Sequence, residues 1–339
     1  MVGLLVLLWS GWTVPSTADP GQSPSVQRIV ALAPNLTELL FAVGAGGQLV
    51  AVADYSDYPP QARQLPRIGG YDRFDPEAVI AARPDLVIGW PGGNPEHLLA
   101  SLERFGLRIW LVDPRRLEDI PAALETLGSL TGHEEKGRQQ ALAFRERLER
   151  LRHGSRLTDP RPSLTGEQTG QEGVTRHVPS LNVAQSVHKG VPRHDSSLPQ
   201  DVGAPVHEKI PVQANKYEPV RVFYQVWHKP LMTINGAHLI SDVIRLCGGE
   251  NIFDELPPLA PVIDPEAVLA RNPEAIVASG MDASRPEWLD HWQHWTPLLA
   301  VRRGNLFFVP PDLLQRHTPR ILDGAELLCD HLEQARQRR

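Results

Sequence analysis

The chain has 339 residues, 41% of them hydrophobic, enough to bury large cores. At about 150 residues per domain, that length fits two lobes. A formal charge of −6, with no dense Lys/Arg cluster to neutralise a phosphate backbone, excludes a general nucleic-acid binder.

Residues 1–18 read as a signal peptide. Val2 to Val14 is apolar, and Ser16-Thr17-Ala18 supplies small residues for cleavage before Asp19. The alternative is a short buried N-terminal helix. The positive leader is missing, which points to a start codon further upstream. No later stretch approaches the length needed to span a bilayer, so the mature chain is expected to be soluble, with no membrane insertion. No cysteine flanks the cleavage site to carry a lipid.

Residues 27–120 form an N-terminal lobe. RIVALA reads as a strand broken by Pro34-Asn35, and LTELLFAVG puts Leu36, Leu39, Leu40 and Val43 on one helical face before the stop at Gly44. QLVAVADYSDYPP is a strand running into a Pro-rich turn. LVIGW is a further strand, HLLASLERFG a helix and LRIWLVD another strand. Alternating strands and helices predict an α/β lobe with a mostly parallel sheet.

Residues 121–153 predict a helical spine, with Ala141, Phe144, Leu148 and Leu151 along one face. From 154 to 216 the composition turns to Pro, Ser, Gly, Gln and His without a single Phe or Trp, and this segment reads as a disordered polar insert. Residues 217–339 form a second α/β lobe. There VRVFYQVW, EAIVASG and NLFFVPPD read as strands, and SDVIRLCGG and ILDGAELLCDHLEQA as helices. The cysteines, Cys247 and Cys329, can close an 82-residue disulfide loop in an oxidising compartment; otherwise they are two buried thiols.

One phrase occurs twice. FDPEAVIAARPDLVIGW at 74–90 returns as IDPEAVLARNPEAIVASG at 263–280, which sets Glu77 and Glu266 189 residues apart. Locally, Asp75 and Asp264 predict helix caps, Pro76 and Pro265 fit the first helical position, and the glutamates favour the positive end of the helix dipole. A second reading is that duplicated lobes hold the two carboxylates at matching points, where a twofold partner could grip both with basic residues.

RIVALAPNLTELLFAVGAGGQLVAVADYSDYPPQA, DPEAVIAARPDLVIGWPGGN, CGGENIF and RHTPRIL together resemble the substrate-binding proteins of bacterial cobalamin ABC importers, from Arg28 to Leu332 except for the insert. The resemblance implies a class III periplasmic binding protein: two lobes joined by a long helical spine, ligand in the cleft between them, and little closure. It implies a monomer in the periplasm that performs no chemistry and has no cofactor of its own. Cobalamin is the transported ligand. Its partners are a permease dimer with ATPase subunits, docked through Glu77 and Glu266. Corrin is a broad disc with apolar faces and an amide rim, and Tyr55, Tyr71, Trp90 and Trp227 match aromatic cleft positions while Asp312 and Arg316 match rim contacts. Ala260 departs from the pattern, standing where a cleft tryptophan belongs, with Leu259 as a substitute wall.

Two other readings remain: an iron-siderophore or haem binding protein of the same fold, or an exported enzyme that processes corrinoids or metal chelates. The insert carries His177, His188, His194 and His207, with His153 just ahead of them, but their spacing matches no standard zinc pattern. GAGG at Gly44 to Gly47 follows a helix rather than a strand, the wrong setting for a phosphate cradle. HWQHW at 291–295 reads as packing of an amphipathic helix, and no metal site is assigned.

Overall fold

β1 (Ile29–Ala31) opens the N-terminal lobe, followed by α1 (Pro34–Ala42), β2 (Leu49–Val52), a hairpin of β3 (Gly69–Gly70) and β4 (Arg73–Phe74), α2 (Pro76–Ala81), β5 (Leu86–Gly89), α3 (Glu96–Arg104) and β6 (Ile109–Leu111). The structure, a computed structural model, describes residues 26–70, 73–157, 218–280 and 284–339. The signal segment, Tyr71 and residues 158–216 of the insert, with its four histidines, lie outside them. The main strands form one parallel sheet in the order β2-β1-β5-β6.

Alternate residues of these strands enter different cores. Ile29, Ala31, Leu86 and Ile88 face α1 and the helices beyond it, whereas Val30, Leu32 and Val87 face Val79 of α2 and Leu98 and Leu102 of α3. Both faces are covered, so the strands read as unbroken apolar runs. The predicted helical face of α1 is fully buried at Leu36, Leu39, Leu40 and Val43. Pro34 was expected to separate strand from helix; instead it is part of the helix, at its first turn, where a missing N–H costs nothing.

The predicted spine is a helical hairpin. α4 (Asp119–Thr131) ends at Gly132 in the left-handed conformation, and α5 (Glu134–Leu157) doubles back along it. The two approach closely at Gly128 and Gly137, where a Cβ on Gly137 would lie 2.7 Å from the Leu124 carbonyl oxygen. Helix α5 carries on through 154–157, into what reads as the start of the insert. Its residues Ala141, Phe144 and Leu148 are buried in the same core as the inner faces of both lobes, and Leu151 packs at that core's edge.

The C-terminal lobe runs β7 (Val220–Gln225), a hairpin of β8 (Trp227–His228) and β9 (Leu231–Met232), α6 (Leu239–Leu246), β10 (Gly249–Asn251), α7 (Pro265–Arg271), β11 (Ala275–Ala278), α8 (Leu299–Arg302), β12 (Leu306–Phe308), α9 (Pro311–Leu314) and α10 (Ile321–Gln337). Its parallel sheet has the order β10-β7-β11-β12, the same plan as the first: second strand, first, third, fourth. Cys247, at the end of α6, is bonded to Cys329 on α10.

The repeated phrase makes the same unit in each lobe, a short helix leading into the third strand. Arg28, just before β1, donates to the carbonyls of Arg83 and Ala82 at the end of α2, and Arg221 of β7 donates to those of Arg271 and Asn272 at the end of α7. Arg83 and Asn272 both adopt positive φ, the left-handed turn that ends a helix. The caps at the helix starts differ. Asp75 accepts from the Ala78 N–H at 3.0 Å, but the Asp264 side chain makes no capping bond; its backbone carbonyl accepts from Ala267 instead.

Candidate functional site

In parallel α/β sheets, ligands gather beyond the carboxyl ends of the strands, near the point where strand order reverses. The predicted residues that the structure describes lie there. Tyr55 follows β2, Trp90 ends β5, Trp227 follows β7, and Asp312 and Arg316 follow β12.

Trp90 is held from several sides. Its indole N–H donates to Asp113 beyond β6 at 3.1 Å, and its backbone N–H to the Asn94 side chain at 2.7 Å, while the Asn94 amide donates to the Leu32 carbonyl past β1. The ring lies over Gly92 and Gly93, where a Cβ would come within 2.7 and 2.3 Å of it. WPGGN therefore encodes one covered aromatic face. The ring itself stays half-buried.

Tyr55 stands out differently. It is 77% exposed and has φ 61°, a conformation uncommon outside glycine and concentrated at functional sites. Its backbone carbonyl accepts from Arg316 at 3.2 Å. Arg316 also pairs with Asp57 at 2.7 Å, with Glu38 of α1 at 2.8 Å and with Asp312 at 2.9 Å. Burial disfavours the Arg316 cation, yet the hydrogen bonds and charges of these acids outweigh it and raise its pKa. Asp57 balances the same way: partial burial opposes its charge, and the Arg316 guanidinium holds its carboxyl below the ordinary range.

Sequence reading missed Glu38. Only 4% exposed, it accepts from Arg316, Arg320 and Thr318, all of the opposite lobe. Arg320 also lies over the Tyr58 ring at 3.8 Å. TEL in a helix gives no local sign of this, because its partners are supplied from 278 or more residues away.

Two histidines were missed as well. His317 meets Trp90 edge-on with centroids 6.0 Å apart, and His238, at the start of α6, meets His317 at 5.6 Å. Burial, with the neighbouring His317, pushes the His238 pKa down to about 3. Burial lowers that of His317 too, against a hydrogen bond to the Pro114 carbonyl and the nearby Asp113 charge. Both imidazoles are neutral at pH 7.

The structure thus brings Tyr55, Trp90, Asp312 and Arg316 into one connected group. Trp227 belongs to another. Its indole donates to the Lys229 carbonyl and its ring meets His228, which stacks on Trp288. Trp292 of the HWQHW stretch is buried against Phe223 and donates to Gln225, a packing role. Leu259 is 40% exposed, and Ala260 beside it is exposed.

Glu77 and Glu266 sit in the first turns of α2 and α7, and both are exposed. Each helix returns from the preceding strand to start the next parallel one, so its first turn lies toward the carboxyl-end edge of its sheet. Among the described residues, no helix is long and apolar enough to cross a membrane.

Residues 29–167 match the model of the periplasmic binding protein family. The chain is 30% identical to a vitamin B12-binding protein of Vibrio cholerae serotype O1, over 92% of this chain and 91% of the relative. It is 32% identical to one from Pectobacterium carotovorum subsp. carotovorum, over 90% and 88%. Among solved structures, the periplasmic vitamin B12 binding protein BtuF of Vibrio cholerae superposes with a TM-score of 0.69 at 30% identity, covering 92% of this chain and 98% of that one. The periplasmic haem-binding protein RhuT from Roseiflexus sp. RS-1 reaches 0.66 at 18% identity, a likeness of fold alone. With this identity sustained over nine-tenths of its length, the chain belongs to the family of vitamin B12-binding proteins, built on the periplasmic binding protein fold.

Proposed function

We propose that the protein is a periplasmic substrate-binding protein that captures cobalamin between its lobes and delivers it to an ABC importer. The observation that carries this reading is the 30% identity to vitamin B12-binding proteins along 92% of the chain. The site chemistry agrees with it. Tyr55, Trp90 and Trp227 offer flat apolar area to corrin faces, and Asp312 and Arg316 offer polar atoms to rim amides. Tyr71 joins them on the family pattern alone. Glu77 and Glu266 would dock the chain, as a monomer, onto a permease dimer whose ATPase subunits supply the energy. The protein itself carries out no reaction.

A haem or anionic iron-siderophore ligand would call for an unneutralised cation in the cleft. Arg316 is unsuited to that task, because Glu38, Asp57 and Asp312 already surround it.

Titration with cyanocobalamin tests the proposal. Tryptophan fluorescence should be quenched and saturate at one ligand per chain. Absence of binding, with haem or a siderophore binding in its place, would reject it.

A further inference from the structure

Glu38 has more bonds than a carboxylate needs for neutralisation. Its Oε1 accepts from Arg316 at 2.8 Å and from Arg320 at 2.6 Å, and its Oε2 from Arg320 at 3.0 Å and from Thr318 at 3.1 Å. All four donors come from the segment joining β12 to α10 in the C-terminal lobe, while Glu38 belongs to α1 in the N-terminal lobe. Two separate connections return from those donors to the turn after β2. Arg316 binds the Tyr55 carbonyl and the Asp57 carboxylate, and Arg320 covers the Tyr58 ring. A third tie runs within the lobe, where Thr37, next to Glu38, shares a 3.0 Å hydrogen bond with the buried Ser56 hydroxyl. The exposed Tyr55 ring is thus carried on a left-handed backbone position held by bonds within its own lobe and, at the Tyr55 carbonyl and the Asp57 carboxylate, by the other lobe.

The duplicated lobe supplies a comparison. Thr37-Glu38-Leu39-Leu40 of α1 corresponds to Ser241-Asp242-Val243-Ile244 of α6, with each helix ending at a left-handed glycine, Gly44 or Gly248. Asp242 also looks across to the opposite lobe, but its partner there, Arg116, stands 4.0 Å away and half its attention goes to Arg245 on its own helix. The tight contact is therefore one-sided.

We propose that Glu38 is a positioning residue for the ligand site: it holds Arg316 and Arg320 across the lobes, and through them aims the Tyr55 turn at the ligand. Glu38 itself touches no ligand. The inference rests on the cobalamin reading for the identity of the ligand, but the ordering of the turn stands independently of it. Charge-assisted hydrogen bonds of this kind are the strong ones, and their geometry is fixed by the paired guanidinium groups. Removing the carboxylate takes the ion pair from Arg320 and leaves Arg316 held by Asp57, Asp312 and the Tyr55 carbonyl alone, which loosens the cross-lobe tether of the turn.

The test is Glu38→Gln in the full chain, with two measurements. In ligand-free protein, amide hydrogen exchange across residues 54–58 should speed up while the strands of both sheets keep their protection. Cyanocobalamin affinity should fall about tenfold to a hundredfold, the worth of one or two charged hydrogen bonds. Glu38→Asp should recover part of both effects, and Asp242→Asn should produce neither. If Glu38→Gln fails to fold, Arg320→Gln takes its place, since it removes two of the four bonds and leaves Arg316 intact. Unchanged exchange at 54–58 in a folded variant overturns the proposal, as does acceleration spread over the whole chain or an equal loss from Asp242→Asn. If the wild type itself does not bind cyanocobalamin, the functional reading fails, and the exchange measurement alone decides the role of Glu38.

Discussion

Asp85 and Glu274, 189 residues apart, perform the same task in the two lobes. Asp85 accepts the backbone N–H groups of Gln27 and Arg28 just ahead of β1, each at 2.9 Å, and Glu274 accepts that of Arg221 in β7 at 3.2 Å. Each acid stands at the start of the third strand and fixes the first strand beside it. These are the acids of Arg-Pro-Asp and Asn-Pro-Glu, so the duplicated phrase encodes strand placement as well as helix starts.

The two positions differ in burial, and that predicts unequal stability effects. Glu274 is buried and also pairs with Arg303 and Arg339, each at 3.0 Å. Burial opposes its charge, but Arg339, the Arg221 N–H and Arg303 outweigh it and keep the carboxyl below its ordinary range. Glu274→Ala removes the shared acceptor of two partly solvated arginines and of the Arg221 N–H and should cost about 2–3 kcal/mol, whereas Asp85→Ala should cost about 1 kcal/mol. Urea denaturation of the two variants measures the difference, and equal losses would mean the buried cluster adds nothing.

The buried histidines set the acid side of the stability profile. In the unfolded chain His238 takes up a proton near its ordinary 6.5, but in the folded chain only near 3. Below pH 6.5 the unfolded state therefore binds more protons, and stability falls as pH drops, by about 1.4 kcal/mol per unit for this one group, levelling off below the folded pKa. His317, also pushed down, steepens the fall. Urea midpoints between pH 8 and 5 should show this slope, and His238→Asn, which keeps a side-chain acceptor for the Ile240 N–H, should flatten it. Parallel profiles for wild type and variant would remove His238 from the account.

The Cys247–Cys329 bond closes a loop of 82 residues. In the chain-entropy model such a loop stabilises the fold by about 4.5 kcal/mol. Reduction should lower the melting temperature in a scan with and without reductant, and Cys247→Ser with Cys329→Ser should reproduce the shift. An unshifted melt would show that the contacts between α6 and α10 suffice.

How much of this was legible in the sequence depends on how local each cause is. The main strands other than β10 were readable because helices cover both faces and leave unbroken apolar runs such as LVIG and AIVA, whereas β10, Gly-Glu-Asn at the sheet edge, carries no such run. The Trp90 turn was readable because WPGGN holds the ring and the glycines that admit it within four residues. Tyr55 was readable as an aromatic in a Pro-rich turn, but its left-handed backbone was not, because a guanidinium 261 residues away holds its carbonyl. Glu38 and His317 were hidden for the same reason. Each looks like an ordinary helix or loop residue until the opposite lobe arrives.

The docking proposed for Glu77 and Glu266 can be separated from ligand capture in a direct way. Both side chains are exposed in first helical turns and neither joins the Tyr55, Trp90 and Arg316 group, so reversing their charge should leave that group in place. Glu77→Arg with Glu266→Arg should hold cyanocobalamin affinity within about twofold, the usual range for surface substitutions. Against a basic permease surface the same pair replaces attraction with repulsion worth several kcal/mol, so docking should weaken by at least about a hundredfold. Each single reversal should weaken it in part if, as proposed, a twofold partner grips both points. Calorimetry with cyanocobalamin and uptake in cells carrying the importer read the two properties apart. Lost affinity would place these carboxylates in the cleft or the fold, and undiminished uptake would mean that the symmetric knobs face nothing.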